Sequence, residues 1–174
     1  MKYFDSKQKK GFTIVEVSLV LAIAGLIFLI VFITLPSLQR GQRDAKRKED
    51  VNTLLTAIKK YQTNNRGTLP NGAGNITRGS GGSTSWGGFL TAYLSDSFKD
   101  PTTGSFYTIY VDDCSRVNVN QTCGEVSPTD GKIHIAIQAK CAGDESKGAI
   151  KTTNPRKVAA IYRLEGNGTY CANT

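Results

Sequence analysis

Residues 12–35, FTIVEVSLVLAIAGLIFLIVFITL, carry a single charged side chain in 24 positions, Glu16. An ionised carboxylate in hydrocarbon costs on the order of several kcal/mol even after relaxation, so an acid there is a functional residue by default. The bland reading is that Glu16, one turn from the start of the run, only reaches back to lipid headgroups. Ahead of it stand Lys2, Lys7, Lys9 and Lys10 against Asp5, a local net charge of +3. Far behind it, Cys114, Cys123, Cys141 and Cys171 all fall in the last 61 residues. Four cysteines allow three pairings. Locality joins Cys114 to Cys123 around the Asp112–Gly124 loop and leaves Cys141 with Cys171 to pin the C-terminal edge. Each bridge would constrain the unfolded chain by about 2–4 kcal/mol. Neither C-x-x-C nor Cys/His zinc spacing occurs, so no metal is expected. The one histidine, His134, falls on the polar side of an alternating run and is expected to face solvent. Asp112-Asp113 and Asp144-Glu145 read as turn acids, not as an ordered calcium set. The Asn75, Asn120 and Asn167 sequons are too common to carry weight. No nucleophile motif or phosphate-binding loop is present. The expectation is therefore no enzyme and no cofactor.

The elements that hold these groups follow from periodicity. The chain has 174 residues, a net charge of +8 and 39% hydrophobic residues, which fits one folded domain. As a helix, residues 12–35 would be about 36 Å long, more than the ~30 Å hydrocarbon core of a bilayer. The run is too long for a secretory signal, and TLPSLQR after it offers no cleavage site, so it is expected to stay on the mature chain. Beyond Pro36, Leu38, Ala45, Val51, Leu54, Leu55, Ile58 and Tyr61 recur at helical spacing, with Arg43, Arg47, Asp50 and Lys60 assigned to the opposite face. Asn64-Asn65-Arg66-Gly67 is a stop signal. The stem 12–64 would reach about 80 Å if wholly helical, with Gly25 and Pro36 as its weak points. Residues 71–88 hold seven glycines and read as a loop whose Trp86 plugs the head's core. Phe89, Leu90, Tyr93 and Leu94 suggest a short helix, and Asp100-Pro101-Thr102-Thr103-Gly104 a turn. Phe106–Val111, the alternating run from Ile133 after Asp130-Gly131, Val158–Glu165 and Gly168–Cys171 are strand-like. The fold class expected is α+β, with three to four antiparallel strands laying one face on the stem and leaving the other wet.

The segment Lys9-Lys10-Gly11-Phe12-Thr13-Ile14-Val15-Glu16, followed by an unbroken apolar helix, resembles the class III signal of type IV prepilins and pseudopilins. The strong part of the resemblance covers roughly residues 7–40. It implies a cytoplasmic leader (1–11), a membrane and filament-core half of the stem (12–35), an amphipathic half (36–64), a variable loop region (65–105) and a disulfide-bonded sheet (106–174). It implies cleavage after Gly11 by a prepilin peptidase, N-methylation of Phe12, and pairing of the new Phe12 amine with Glu16 of a neighbouring subunit. It also implies that Gly25 and Pro36 bracket a segment able to kink or unwind. The partners implied are further copies in a helical filament, the membrane, and an assembly platform with its ATPase. The precursor would sit in the cytoplasmic membrane with its N-terminus in the cytoplasm, and the mature form in an extracellular pilus. The positive-inside rule, applied to Arg40, Arg43, Lys46, Arg47 and Lys48, points the other way; the cysteines and the signal outweigh it. The stem 12–64 nets +3 and the head 65–174 nets +2, so the surplus is assigned to stem or headgroup contacts, with DNA the less favoured partner. A secretion pseudopilin or minor pilin is the rival within the family, and a membrane-tethered binding module the rival outside it.

Overall fold

The computed structural model describes residues 11–123, 131–143, 148–166 and 168–174. The basic leader up to Lys10, Asp130 of the expected turn, Asp144-Glu145 and Asn167 lie outside the described residues. The chain divides into two compact units, Met1–Gln39 and Arg40–Thr174. One helix, α1, runs from Ile14 to Asn64, 51 residues, and continues through Gly25 and Pro36 without a break. In the second unit its apolar stripe, Val51, Leu54, Leu55, Ile58 and Tyr61, is buried. Leu38 is 61% exposed, so the stripe starts later than the sequence spacing suggests.

The stripe packs on a five-stranded sheet built from β1 (Gly74–Ile76), β2 (Thr108–Asp113), β3 (Lys132–Ile137), β6 (Val158–Arg163) and β7 (Thr169–Asn173), in spatial order β1-β2-β3-β6-β7. A separate hairpin pairs β4 (Ala139–Cys141) with β5 (Ala149–Lys151). Three of the four ladders in the large sheet are antiparallel, but β2 and β3 run parallel, with Ile109 beside Ile133 and Val111 beside Ile135. The expected three or four antiparallel strands thus become five in a mixed sheet. The extra one, β1, comes from the segment read wholly as loop. The short helix expected around Phe89–Leu94 forms as α2 (Trp86–Tyr93), its first turn drawn from the end of that segment, and its N-cap Ser85 accepts a hydrogen bond from the Gly88 amide. Gly87 and Gly88 are required by close approach: a Cβ there would lie 2.1 Å from the Ser80 carbonyl oxygen and 2.3 Å from that of Gly82. Trp86, Phe89 and Leu90 then enter the core beside Tyr61.

The sheet has a second covered face, where a wet one was expected. Alternation along β6 sends Val158, Ala160 and Tyr162 toward α1, while Ala159 and Ile161 join Cys114, Cys123, Ala136, Ala139 and Ala149 in a small second core. Cys114 is bonded to Cys123 and Cys141 to Cys171, with Cα separations of 5.5 and 5.8 Å. Asp112 and Asp113 are not turn acids but the end of β2, and Asp113 caps the 3-10 turn Cys114–Arg116 through the Ser115 amide.

His134 is also not solvent-facing. Its side chain is only 12% exposed, its ring lies 5.4 Å from that of Tyr110, and Asp112 Oδ2 is 3.7 Å from Nδ1. Both ring nitrogens are buried without a hydrogen bond. A buried unsatisfied polar group costs about 1–3 kcal/mol. His134→Leu, similar in volume and free of polar atoms, is therefore expected to raise the urea midpoint, and an unchanged or lowered midpoint would count against the orphaned-ring account.

Candidate functional site

The first unit carries its chemistry at the start of α1. Thr13 is the residue before the helix, and Glu16 stands three positions on. The Thr13 amide and hydroxyl donate to Glu16 Oε2 at 3.4 and 3.2 Å, and the Glu16 amide donates to Thr13 Oγ1 at 3.3 Å. This reciprocal arrangement is a capping box, in which a Thr and a Glu satisfy amides that the first helical turn leaves open. The carboxylate therefore has local partners within one subunit, a role the sequence reading overlooked although Thr13-Ile14-Val15-Glu16 spells the S/T-x-x-E pattern. Behind the cap, the apolar side chains are exposed: Phe12 is 86% exposed, Phe28 64% and Phe32 75%. Burying one such side chain is worth about 1.5–3 kcal/mol, so leaving the whole run in water would cost on the order of tens of kcal/mol. A domain's entire stability is about 5–15 kcal/mol. The run needs an apolar surrounding, and among the described residues nothing supplies it. Gly11 has no neighbour within 4 Å of where a Cβ would be, so packing in the described structure does not account for a glycine there.

The second unit begins where α1 meets the head, and here charge does the holding. Arg43 grips Glu165 with two parallel hydrogen bonds of 2.7 Å, from Nε and Nη2. One turn on, Arg47 is 4% exposed and meets Asp44 at 3.0 Å, Glu165 at 2.8 Å and Asp100 at 3.4 Å, while its Nη2 also donates to Thr102 Oγ1. Tyr162 donates to Asp100 Oδ2 at 2.7 Å and Tyr107 to Asp50 Oδ2 at 2.8 Å. Lys46 reaches Asp50 from outside at 3.1 Å. The sequence assignment of Arg43, Arg47 and Asp50 to the face opposite the apolar stripe is thus overturned. They face the head, because the turn at Asp100–Gly104 and the end of β6 present the complementary charges. Part of the positive surplus assigned to neighbouring subunits or lipid is spent inside this chain's own head.

Protonation follows from those contacts. The Arg43 fork, outweighing burial and aided by Thr102 and Arg47, holds the Glu165 carboxyl down at about 2, from an ordinary value of 4.5. Burial works against the Asp100 charge, but the Tyr162 hydroxyl, the Thr102 amide and Arg47 more than offset it and keep the carboxyl below its usual range. For groups lowered in this way, the stabilisation is complete above the unfolded-state value and fades as pH falls toward the folded one. Glu165→Gln should therefore lower the urea midpoint at neutral pH, and the gap from the parent should close as pH falls from about 4.5 to about 2. A gap independent of pH would show that the carboxylate charge is not what anchors the helix.

Among known families, a model of the prokaryotic N-terminal methylation motif matches residues 6–32. The chain carries the type IV pilin/pseudopilin signal. No curated protein and no solved structure matches the chain significantly. The signal covers the capping box and most of the exposed apolar run. Its extent includes Gly11, Phe12, Glu16 and Gly25; Pro36 lies beyond it, inside α1. The α+β architecture, one long N-terminal helix on a mostly antiparallel sheet, is consistent with the pilin fold. An apolar N-terminal helix under such a signal fits a membrane-anchored precursor, and the signal points to a structural subunit. Among the described residues no group of three or more His, Cys, Asp or Glu side chains is placed to hold a metal ion.

Proposed function

We propose that the chain is a type IV pilin-like structural subunit, cleaved after Gly11, N-methylated at Phe12 and polymerised into an extracellular helical filament serving adhesion, motility or DNA uptake. One observation carries the reading: a methylation signal overlapping an apolar helical run whose large side chains are exposed. In the membrane, lipid covers that helix; in a filament, the stems of other copies would. Lipid tails are as apolar as leucine, so close packing and polar pairing must favour the polymer. Glu16 supplies such a pair once cleavage creates an amine at Phe12. The fitness of Gly11 for cleavage lies in letting a backbone approach an enzyme closely, since no internal contact requires it. Gly25 and Pro36 are the places where the stem would kink or open during assembly, and extraction from the membrane would need an ATP-driven platform.

The same signal serves pseudopilins of secretion systems and minor pilins, and abundance separates these from a major subunit. Intact mass and N-terminal sequencing of sheared surface fibres test the proposal. The expected result is a dominant chain beginning at Phe12, lacking 11 residues and carrying one methyl group on its amine. A chain that keeps Met1, or that stays with the membrane on shearing, would overturn the filament reading in favour of a tethered binding module.

A further inference from the structure

Asn71-Gly72 is the one Asn-Gly step among the described residues, and it stands at the root of the loop that leads to α2. Both residues are exposed. Gly72 is held at φ 107°, a value that side chains rarely adopt, so the backbone path itself requires a glycine directly after Asn71. A Cβ there would meet nothing within 4 Å, which leaves conformation, not crowding, as the reason. Among the described residues neither the Gly72 amide nor the Asn71 side-chain amide makes a hydrogen bond.

Asn71 is also the clasp of that loop. Its backbone amide donates to the Thr84 carbonyl at 2.8 Å, and its carbonyl accepts from the Trp86 amide at 3.2 Å, which bridges it to Ser85, the N-cap of α2. Trp86 follows at once and is fully buried. The exposed asparagines Asn75, Asn118 and Asn120 precede Ile76, Val119 and Gln121, whose side chains hinder approach of the next backbone nitrogen to the asparagine carboxamide. After Asn71 that nitrogen is exposed, unbonded and without a Cβ beside it. Asparagine is among the thermally labile side chains, and here its surroundings remove the usual obstacles to ring closure.

We infer that Asn71 is a self-modification site, converting to aspartate and isoaspartate and thereby unfastening the loop from α2. The Gly72 nitrogen attacks Asn71 Cγ. The N–Cγ bond forms, the Cγ–Nδ2 bond breaks, and ammonia leaves with the proton that the Gly72 nitrogen gives up. Water then opens the cyclic imide at either carbonyl. The sum is water in and ammonia out, with no oxidant, reductant or enzyme. Opening at the α-carbonyl reroutes the main chain through Cβ and Cγ and turns the carbonyl that holds the Trp86 amide into a free carboxylate. The step needs neither cleavage nor polymerisation, so its failure leaves the filament proposal untouched. Full-length chain in neutral detergent would be kept folded in mildly alkaline and mildly acidic buffer, sampled over days, digested and mapped by fragmentation mass spectrometry. The expected result is a gain of one mass unit at Asn71, faster in the alkaline buffer, while Asn75, Asn118 and Asn120 stay unchanged. Emission from Trp86, the sole tryptophan, should shift to the red in step with it. Gly72→Ala is a poor control, since φ 107° strains any side chain. Asn71→Gln is the better one: it demands a less favourable six-membered ring and should abolish both changes. Conversion of Asn71 in urea but not in the folded chain, or no faster than at Asn75, would overturn the assignment, and conversion with unmoved Trp86 emission would overturn the unfastening.

Discussion

Arg47→Met is expected to lower the stability of the head by about 3 kcal/mol or more. The side chain is almost fully buried, and its removal leaves Asp100, itself 3% exposed, without its cation. Breaking a buried ion pair from one side costs about 3–5 kcal/mol because the remaining charge is stranded. Asp100 keeps its neutral donors, the Tyr162 hydroxyl and the Thr102 amide, each at 2.7 Å, which places the expected loss at the low end of that range. A double variant, Arg47→Met with Asp100→Asn, should lose less than the two single changes summed, by about 0.5–3 kcal/mol, since the residues share a network. Urea unfolding of the four chains closes the cycle. Strict additivity would mean that Arg47 stabilises the head through Asp44, Glu165 and its contact with the Tyr162 ring, 5.6 Å away, and not through Asp100.

Glu16→Leu is expected to abolish filaments while leaving the chain in the membrane, but that change removes a cap and a charge together. Glu16→Gln separates them. Glutamine serves at the same position of a capping box, so the helix start should persist while the anion is gone. If pairing with the processed amine drives assembly, Glu16→Gln yields no surface fibres although the precursor accumulates and is trimmed normally. Normal fibres from Glu16→Gln would assign the carboxylate to the cap alone and remove the intersubunit pair from the mechanism. The readouts are sheared-fibre yield and the N-terminus of the membrane-retained chain.

The stem and the signal were legible because their information is local: helical spacing and motif order survive without knowledge of the fold. The anchor was legible only in part. Arg47 continues the stripe of Val51, Leu54, Ile58 and Tyr61 at steps of four and three, which marks it as inward-facing. Its charge argued otherwise, because Asp100 and Glu165, which accommodate it, stand 53 and 118 positions away in sequence. Strand direction failed for a related reason. The parallel pairing of β2 with β3 depends on the path of the chain between Asp113 and Lys132, and composition does not state a path. The covered outer face followed from the hairpin β4–β5, whose short strands gave no clear alternation. Thr13 and Glu16 are the opposite case: the capping pattern was in plain view, and attention to the acid's cost in lipid hid its benefit to the helix.

Strand order has a last consequence for the filament proposed above. Unsatisfied amides and carbonyls along a sheet margin invite another molecule to extend the sheet. Here one margin, β1, is three residues long and begins with a glycine. The other, β7, is tied to the neighbouring hairpin by Cys141–Cys171 and by the Cys141 amide donating to the Asn173 side chain. Neither border offers a long bare template. In the filament proposed above, heads at high local density would thereby be kept from fusing into amyloid-like stacks, and ordered self-association would be left to the greasy rod.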